Sequence, residues 1–313
     1  MIEPSPHKLP GNIFMQPWWL DVVAKDDWIE LKIEKGGDLK ARWPIVMRKK
    51  MGFVHIEMPV LTQKTGPWIK QESTKQVSLH SNERKLLEEL IEKIPSFDRF
   101  NLNLDESIIN YLPFKWSGFK QSSNTSFRIN DPYNSEAVWA NFKSTVRRNI
   151  RRAQENCTIS TNLTSKELYL QIKKTFHRKN KEPSYSFELI DDLINEATKR
   201  NRANIIGVLN KNNEVISAQL FIHDDNVTYY LAGGFDNDNI EPGAVSLGMF
   251  EGIRLAAARK NAFDFEGSSV NGIEQFFSSF GSIPIHFHNI HKVSNKYLPV
   301  YLLKEIRNFR KTL

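Results

Sequence analysis

The chain has 313 residues, of which 40% are hydrophobic and 25% are charged, with a formal net charge of +7. This composition predicts a folded globular protein rather than a disordered chain, and the single cysteine, Cys157, excludes an internal disulfide. No apolar run reaches the roughly 20 residues of a membrane-spanning helix and the start lacks a secretory pattern, so we expect a cytoplasmic protein without a membrane span.

The first half of the chain predicts an antiparallel meander. Apolar and polar residues alternate over 28–34. The turn KGGD at 35–38 leads into a strand over 39–47, and FVHIEMP forms the third strand. An amphipathic helix at 83–94 and strands in RFNLNL and SSNTSFRI complete this half.

A basic helix is predicted over about residues 135–156, with an apolar stripe on one side. The cations expected to bind a phosphorylated substrate lie on the other side: Lys143, Arg147, Arg148 and Arg151, with Arg152 beside them. Like charges one turn apart repel each other, so an anionic ligand would stabilise this face. Guanidinium groups match phosphate oxygens, which favours phosphate; the alternative is a solvated surface.

The second half repeats the meander. Strands in NIIGVL, VISAQLFI and VTYYLAGG are separated by turns, and the turn KNNE lies 211 − 35 = 176 residues after KGGD. Two similar units are therefore expected, 1–131 and 132–313, with the boundary at Asn130-Asp131-Pro132 and the last helix returning to the first unit. The fold class is α+β, a mixed α/β arrangement in which each largely antiparallel sheet is flanked by helices.

The turn FDNDNIEPGAVSLG precedes a predicted helix over 244–260 and offers Gly243 and Ala244 as a phosphate cradle at a helix N-terminus. A proline removes one amide donor from this turn, and three nearby acids disfavour phosphate. The turn is therefore a poor phosphate-binding site.

The segment FDFEGSSVNGIEQFFSSFG, residues 263–281, combines a strand, a polar turn and a helix. Glu266, Gly267 and Ser268 follow the strand, where backbone and side chains are able to meet a ligand. The alternative is structural: the phenylalanines of the segment would form core and Glu266 would cap the helix.

Three segments resemble the FemAB-like acyltransferases, which carry two GNAT-type folds in one chain. They are IFMQPWWLDVVA, FKSTVRRNIRRAQE and FEGS followed by GIEQFFSSFG. The resemblance implies a tandem GNAT fold and the transfer of an amino acid from aminoacyl-tRNA to a peptidoglycan precursor. For relatives with other roles it implies acyl transfer to envelope sugars or metabolites.

Acyl transfer to an amine requires a neutral amine and donors for the developing oxyanion, without a covalent enzyme intermediate. Glu266 and Asp236 follow predicted strands and are the candidate catalytic carboxylates, with helix capping as their alternative. Tyr230 and Gln219 lie on neighbouring strands and are candidate substrate-binding residues together with Ser268; cross-strand packing is the alternative. The histidines of HFHNIH lack further ligands, so no metal is expected.

The predicted function is acyl or aminoacyl transfer from an activated donor to an amine of a cell-envelope precursor, sugar or metabolite. No firmly bound cofactor is expected; the donor is acyl-CoA or aminoacyl-tRNA, so charged tRNA is a candidate partner. One alternative is a coenzyme A-dependent N-acetyltransferase. Another is a non-catalytic protein whose basic face binds RNA or an anionic polymer.

Overall fold

The computed structural model describes residues 9–267 and 271–312. Its regular elements are, in chain order, α1 (Pro17–Val23), β1 (Trp28–Lys35), β2 (Asp38–Lys50), β3 (Phe53–Glu57), β4 (Trp68–Ile69), α2 (Gln76–Glu92), β5 (Arg99–Asn103), α3 (Leu112–Trp116), β6 (Lys120–Ile129), α4 (Ser135–Asn141), α5 (Ser144–Asn156), β7 (Thr158–Ser160), α6 (Ser165–His177), α7 (Phe187–Lys199), β8 (Ala203–Leu209), β9 (Val215–His223), β10 (Val227–Phe235), α8 (Ala244–Arg259), β11 (Ala262–Asp264), α9 (Asn271–Ser278), β12 (Ile283–Val293) and α10 (Leu298–Thr312). Helices thus alternate with mostly antiparallel strands, which confirms the predicted α+β class.

The described chain forms two compact units. The first runs to Asn124 and resumes at His286, and the second is Thr125–Ile285. These bounds differ from the predicted 1–131 and 132–313, because β6 crosses into the second unit before residue 131 and the chain from His286 groups with the first unit.

Both predicted meanders are present. In the first unit, β1 pairs antiparallel with β2 across the turn at 35–38, and β2 pairs antiparallel with β3. In the second, β8, β9 and β10 pair in the same way. The strand order is β1-β2-β3-β5-β12 in the first unit, with β4 on β2, and β6-β11-β10-β9-β8-β7 in the second.

The basic segment is two helices rather than the single helix predicted over 135–156. Phe142 separates α4 from α5 in an extended conformation, with φ −65° and ψ 140°. Its buried ring packs against Phe250 and Phe280, with ring centroids 5.9 and 5.2 Å away. Burial of an aromatic side chain contributes about 1.5–3 kcal/mol, so this packing stabilises the break.

Each unit has its own apolar core. In the second, the core lies between the sheet and helices α5 and α8, and it includes four phenylalanines of the 263–281 segment: Phe263, Phe265, Phe277 and Phe280. The structural interpretation of these side chains is therefore correct. Among the described residues, no helix combines the length and the hydrophobicity needed to cross a membrane.

Candidate functional site

The sheet of the second unit opens between two parallel strands. β10 and β11 pair in parallel only as far as Tyr229 and Asp264. β11 then ends, while β10 continues to Phe235 along β9. The register of β10 shifts between Tyr230 and Ala232, and an irregularity of this kind redirects side chains. Tyr230 and the residues after Asp264 consequently lie where the two strands separate.

Glu266 is held in an unusual backbone conformation at this opening. Its φ is +58°, which few residues other than glycine adopt. The amide of Glu266 donates a 2.8 Å hydrogen bond to Oδ1 of Asp264. Next to it, a Cβ atom at position 267 would lie 2.2 Å from the carbonyl oxygen of Thr125, so only glycine fits at Gly267. The half-buried Glu266 side chain therefore starts from a tightly constrained turn.

Asp264 anchors this turn. Its fully buried carboxylate accepts hydrogen bonds from Oγ of Ser126 and from Nη2 and Nε of Arg128, the latter two at 2.7 and 3.0 Å. Charge-assisted bonds of this two-pronged kind are strong and directional. Because the same carboxylate binds the amide of Glu266, the clamp fixes where the Glu266 side chain points.

Tyr230 lies close to Glu266. Burial and then the negative charge of Glu266 raise the pKa of Tyr230 to about 12. Its ring lies 6.0 Å from the ring of Phe221 and 6.2 Å from that of Phe277. The Tyr230 hydroxyl makes no hydrogen bond to any residue in the described part of the chain, so it is available to donate one to a ligand.

Tyr185 joins the same cluster from the loop between α6 and α7. Burial raises its pKa, with smaller contributions from Tyr230, Tyr169 and Glu266. The hydroxyl of Tyr169 donates to the carbonyl oxygen of Tyr185 at 3.2 Å and so ties this loop to α6. The sequence analysis missed Tyr185, because no strand or helix pattern marks the loop that carries it.

Gln219 lies beneath α8. Its Nε2 donates to Oγ of Ser217 at 2.6 Å, and its buried Oε1 has no hydrogen-bond partner in the described residues. A Cβ at Gly248 would lie 2.0 Å from that Oε1, so the helix approaches the strand closely there. Gln219 thus packs under the helix, and its buried Oε1 faces α8.

Asp236 is engaged in an ion pair and a turn. Its Oδ2 lies 2.6 Å from Nζ of Lys174, and its Oδ1 accepts a 3.1 Å hydrogen bond from the amide of Asp238. Lys174 is the largest of the influences that lower the pKa of Asp236; Asn239 also contributes. A carboxylate whose pKa is lowered is a weaker base, so these contacts give Asp236 a structural task.

The predicted phosphate-binding cations do not share one environment. Arg147 donates hydrogen bonds to the carbonyl oxygens of Trp139 and Ala140, at 3.2 and 2.7 Å, and so caps α4. The guanidinium of Arg151 lies 5.6 Å from the ring centroid of Trp139. The amide of Lys143 donates to a backbone carbonyl and its side chain is exposed.

Arg148 and Arg152 are exposed on the side of α5 that contains Asn149, and the backbone of Asn149 approaches the start of α8. They lie within about 100° of Asn149 around the helix. The carbonyl oxygen of Asn149 would be 2.1 Å from a Cβ at Gly243, which has a φ of +92° and begins α8. Of the predicted cations, these two are therefore on the side of α5 that contains Asn149.

The first turn of α8 has unused amide donors. No side chain caps it, and the amides of Val245 and Ser246 have no partner in the part of the chain that the structure describes. The amide of Ala244 already donates to the carbonyl oxygen of Glu241, at 3.0 Å. Unused donors at a helix start attract anions. Of the two residues predicted to bind phosphate, Gly243 forms the turn before α8 and Ala244 is buried.

A shallow groove of about 410 Å³ lies beside the same helices. Its lining residues are Ser135, Glu136, Trp139, Arg151, Gln154 and Phe250. Ser268 lies outside the described residues. In the described chain, no three histidine, cysteine, aspartate or glutamate side chains are grouped as metal ligands would be. The side chains that the structure brings together at the strand opening are thus Glu266, Tyr230 and Tyr185.

Comparisons with known proteins agree with this geometry. Residues 140–276 match the family model of the acetyltransferase (GNAT) domain. No curated protein sequence matches the chain significantly. Among solved structures, FemX superimposes with a TM-score of 0.67 and 13% identity, covering 94% of each chain.

Two further structures have the same fold. One is the C-terminal domain of a putative lysylphosphatidylglycerol synthetase from Agrobacterium fabrum, with a TM-score of 0.56, 9% identity and coverage of 90% of this chain and 89% of that one. The other is a tandem GNAT protein from the clavulanic acid biosynthesis pathway, with a TM-score of 0.51, 7% identity and coverage of 88% and 94%.

The matched segment and the shared fold define the class of this protein. Residues 140–276 match a GNAT acetyltransferase domain, and the chain shares its fold with FemX and with a tandem GNAT protein. The predicted resemblance and the predicted acyltransferase class are thereby confirmed.

Proposed function

We propose that the second unit transfers an acyl or aminoacyl group to an amine, with Glu266 as the base and Tyr230 as a hydrogen-bond donor. The observation that carries this proposal is the proximity of the two side chains at the point where β10 and β11 separate. Both residues lie within the segment that matches the GNAT domain. A base and a donor beside a gap in a sheet are the groups that acyl transfer needs.

In this reaction the amine nitrogen attacks the donor carbonyl carbon. A carbon–nitrogen bond forms, the carbon–oxygen or carbon–sulfur bond to the leaving group breaks, and the amine proton passes to Glu266. The Tyr230 hydroxyl, kept protonated by its raised pKa, donates a hydrogen bond to the oxygen that carries the developing charge. The leaving group then takes up a proton, and no enzyme-bound intermediate is required.

The donor binds at the start of α8. The free amides of Val245 and Ser246 and the exposed Arg148 and Arg152 together suit phosphate oxygens. Both acyl-CoA and the end of an aminoacyl-tRNA carry such groups, so this site binds the part that the two donors share.

We favour aminoacyl transfer in cell-envelope synthesis. The resemblance to FemAB-like proteins supports it, as does the fold shared with a protein named for a lysyl group joined to phosphatidylglycerol. A coenzyme A-dependent N-acetyltransferase is the second candidate, because the matching family model is that of an acetyltransferase domain. In that case the uncapped start of α8 would bind the pyrophosphate.

Thermal unfolding in the presence of each donor separates the two candidates. A ligand present at 100 times its dissociation constant stabilises the folded protein by about 2.7 kcal/mol. We expect charged tRNA to raise the melting temperature more than uncharged tRNA or acetyl-CoA does. A rise in the melting temperature with acetyl-CoA alone would make acetyl transfer, and not aminoacyl transfer, the proposed function.

Transfer itself is tested with labelled donor and a panel of amines, followed by mass spectrometry of the products. The panel contains envelope precursors, amino sugars and small metabolites. The proposal expects a new amide that depends on Glu266. Formation of no product from either donor with any amine would contradict it.

A further inference from the structure

The final described helix, α10 of the first unit, exposes an apolar stripe. Leu298, Leu302 and Ile306 recur every four residues and therefore share one face. Their exposed fractions are 40%, 51% and 53%, and the adjacent Leu303 is 69% exposed. Several large apolar side chains clustered on one helix face are typical of a surface that binds a partner.

The stripe is exposed although the start of α10 is packed against the first unit. Tyr297, which precedes α10, is buried, and its ring lies 5.0 Å from the ring of Phe53 and 5.1 Å from that of His55. Nζ of Lys304, in the second turn of the helix, donates to the Tyr297 hydroxyl at 3.0 Å. These contacts fix the first turns of α10 and leave the leucine and isoleucine face in solvent.

Cations accompany this stripe. Arg307 is exposed on α10, and the sequence continues with Arg310 and Lys311, whereas Glu305 is the one acid between Leu298 and Leu313. The helix is therefore amphipathic and basic, a combination typical of helices that lie on anionic membrane surfaces.

A second exposed element of the first unit adjoins α10. The turn between β2 and β3 carries Lys49 and Lys50, followed by Met51, which is 92% exposed. Phe53, directly after this turn, contacts Tyr297, and Nζ of Lys296 lies 5.2 Å from the Phe53 ring centroid. The turn thus brings another large apolar side chain and the exposed cation Lys49 next to the start of the helix, whereas Lys50 is paired with Glu57.

We propose that α10 and the β2–β3 turn bind an anionic lipid surface. The exposed leucine, isoleucine and methionine side chains would enter the boundary between headgroups and acyl chains, and the flanking cations would contact the phosphates. Charge decides between this partner and others: a second copy of the chain would bring the same cations into opposition, and a nucleic acid would leave the apolar stripe in water. The inference is independent of the transfer reaction.

The test is sedimentation of the purified full chain with vesicles of phosphatidylcholine, with and without phosphatidylglycerol. We expect the chain to bind the vesicles that contain phosphatidylglycerol, and added salt to weaken this binding. Leu302→Asn combined with Ile306→Asn should lower the partition coefficient about tenfold or more, because both side chains lose apolar contact with the lipid. Lys49→Gln with Arg307→Gln should lower it about fivefold per cation.

Matched control variants have similar exposure elsewhere. Leu170, on α6, is 52% exposed and Ile159, on β7, is 37% exposed; Leu170→Asn with Ile159→Asn should leave vesicle binding unchanged. Lys166→Gln with Lys211→Gln is the control for charge. Circular dichroism melting curves establish that each variant is folded.

Three results would overturn the proposal. They are no binding to vesicles that contain phosphatidylglycerol, binding that persists undiminished in the Leu302→Asn, Ile306→Asn variant, and a dimer in lipid-free solution that this variant abolishes. The last result would assign the stripe to a second copy of the chain.

Discussion

Asp236 and Glu266 are carboxylates that follow neighbouring strands of one sheet, and their surroundings differ. Asp236 is paired with Lys174 and accepts hydrogen bonds from its own turn, so its pKa is lowered. Glu266 lies beside Tyr230, whose pKa its charge helps to raise. The comparison teaches that a position after a strand is not enough to propose a base; the contacts of the carboxylate have to be known as well.

Replacing the Glu266 carboxylate should lower the rate of transfer more than any other change at these two carboxylates. Glu266→Gln removes the proton acceptor and keeps the shape, so we expect kcat to fall by about a hundredfold to ten-thousandfold. The melting temperature should stay close to the wild-type value. Glu274→Gln, on α9, is the control and should keep its activity; a wild-type rate in Glu266→Gln would show that another group takes the proton.

Removing the Tyr230 hydroxyl should have the next largest effect. Tyr230→Phe deletes one donor to the developing oxyanion, for which we expect about a hundredfold loss in kcat. Because the pKa of Tyr230 is about 12, the hydroxyl stays protonated over the working range, and the wild-type rate should not fall through its ionisation below that pH. Tyr133→Phe, at an exposed tyrosine, serves as the control. An unchanged kcat in Tyr230→Phe would remove this residue from the mechanism.

The cations near α8 should affect donor binding more than the chemical step. Arg148→Gln with Arg152→Gln is expected to raise KM for the phosphate-bearing donor about tenfold and to reduce its dependence on salt. The value of kcat should change little. Arg254→Gln with Lys199→Gln, at exposed cations on α8 and α7, should leave KM as it is. Equal KM values in both double variants would show that the donor does not bind at this helix start.

Asp236 should matter for stability and hardly at all for transfer. Asp236→Ala loses the bonds to Lys174, Asp238 and Asn239, and we expect the free energy of unfolding near neutral pH to fall by about 1–3 kcal/mol. Urea titration measures this loss, and the rate per folded molecule should remain at the wild-type value.

The pH dependence of this stabilisation has a definite sign. The pKa of Asp236 is lowered in the folded protein, so its contribution is fully present above the ordinary value of 3.8 and is lost as pH falls through the folded-state pKa. The stability difference between the wild type and Asp236→Ala should therefore shrink at pH values below 3.8. A constant difference would show that the Lys174 pair is not its source.

The sequence was sufficient for the fold class and for two of the three side chains at the strand opening, Glu266 and Tyr230. Alternating residues and turn signals revealed both meanders, and the polar turn after a strand identified Glu266. The features that the sequence did not reveal depend on contacts between residues that are far apart in the chain. The break in the basic helix depends on the packing of Phe142, and the Asp264 clamp depends on Ser126 and Arg128, more than 130 residues earlier. Tyr185 comes from a loop without any periodic pattern.

The most direct test of the account compares the transfer rates of Asp236→Ala and Glu266→Gln, measured on folded protein with the same donor and amine at saturation. The account predicts that Asp236→Ala is faster by about a hundredfold or more, because only Glu266 takes the proton. Equal rates, or a slower Asp236→Ala, would contradict it.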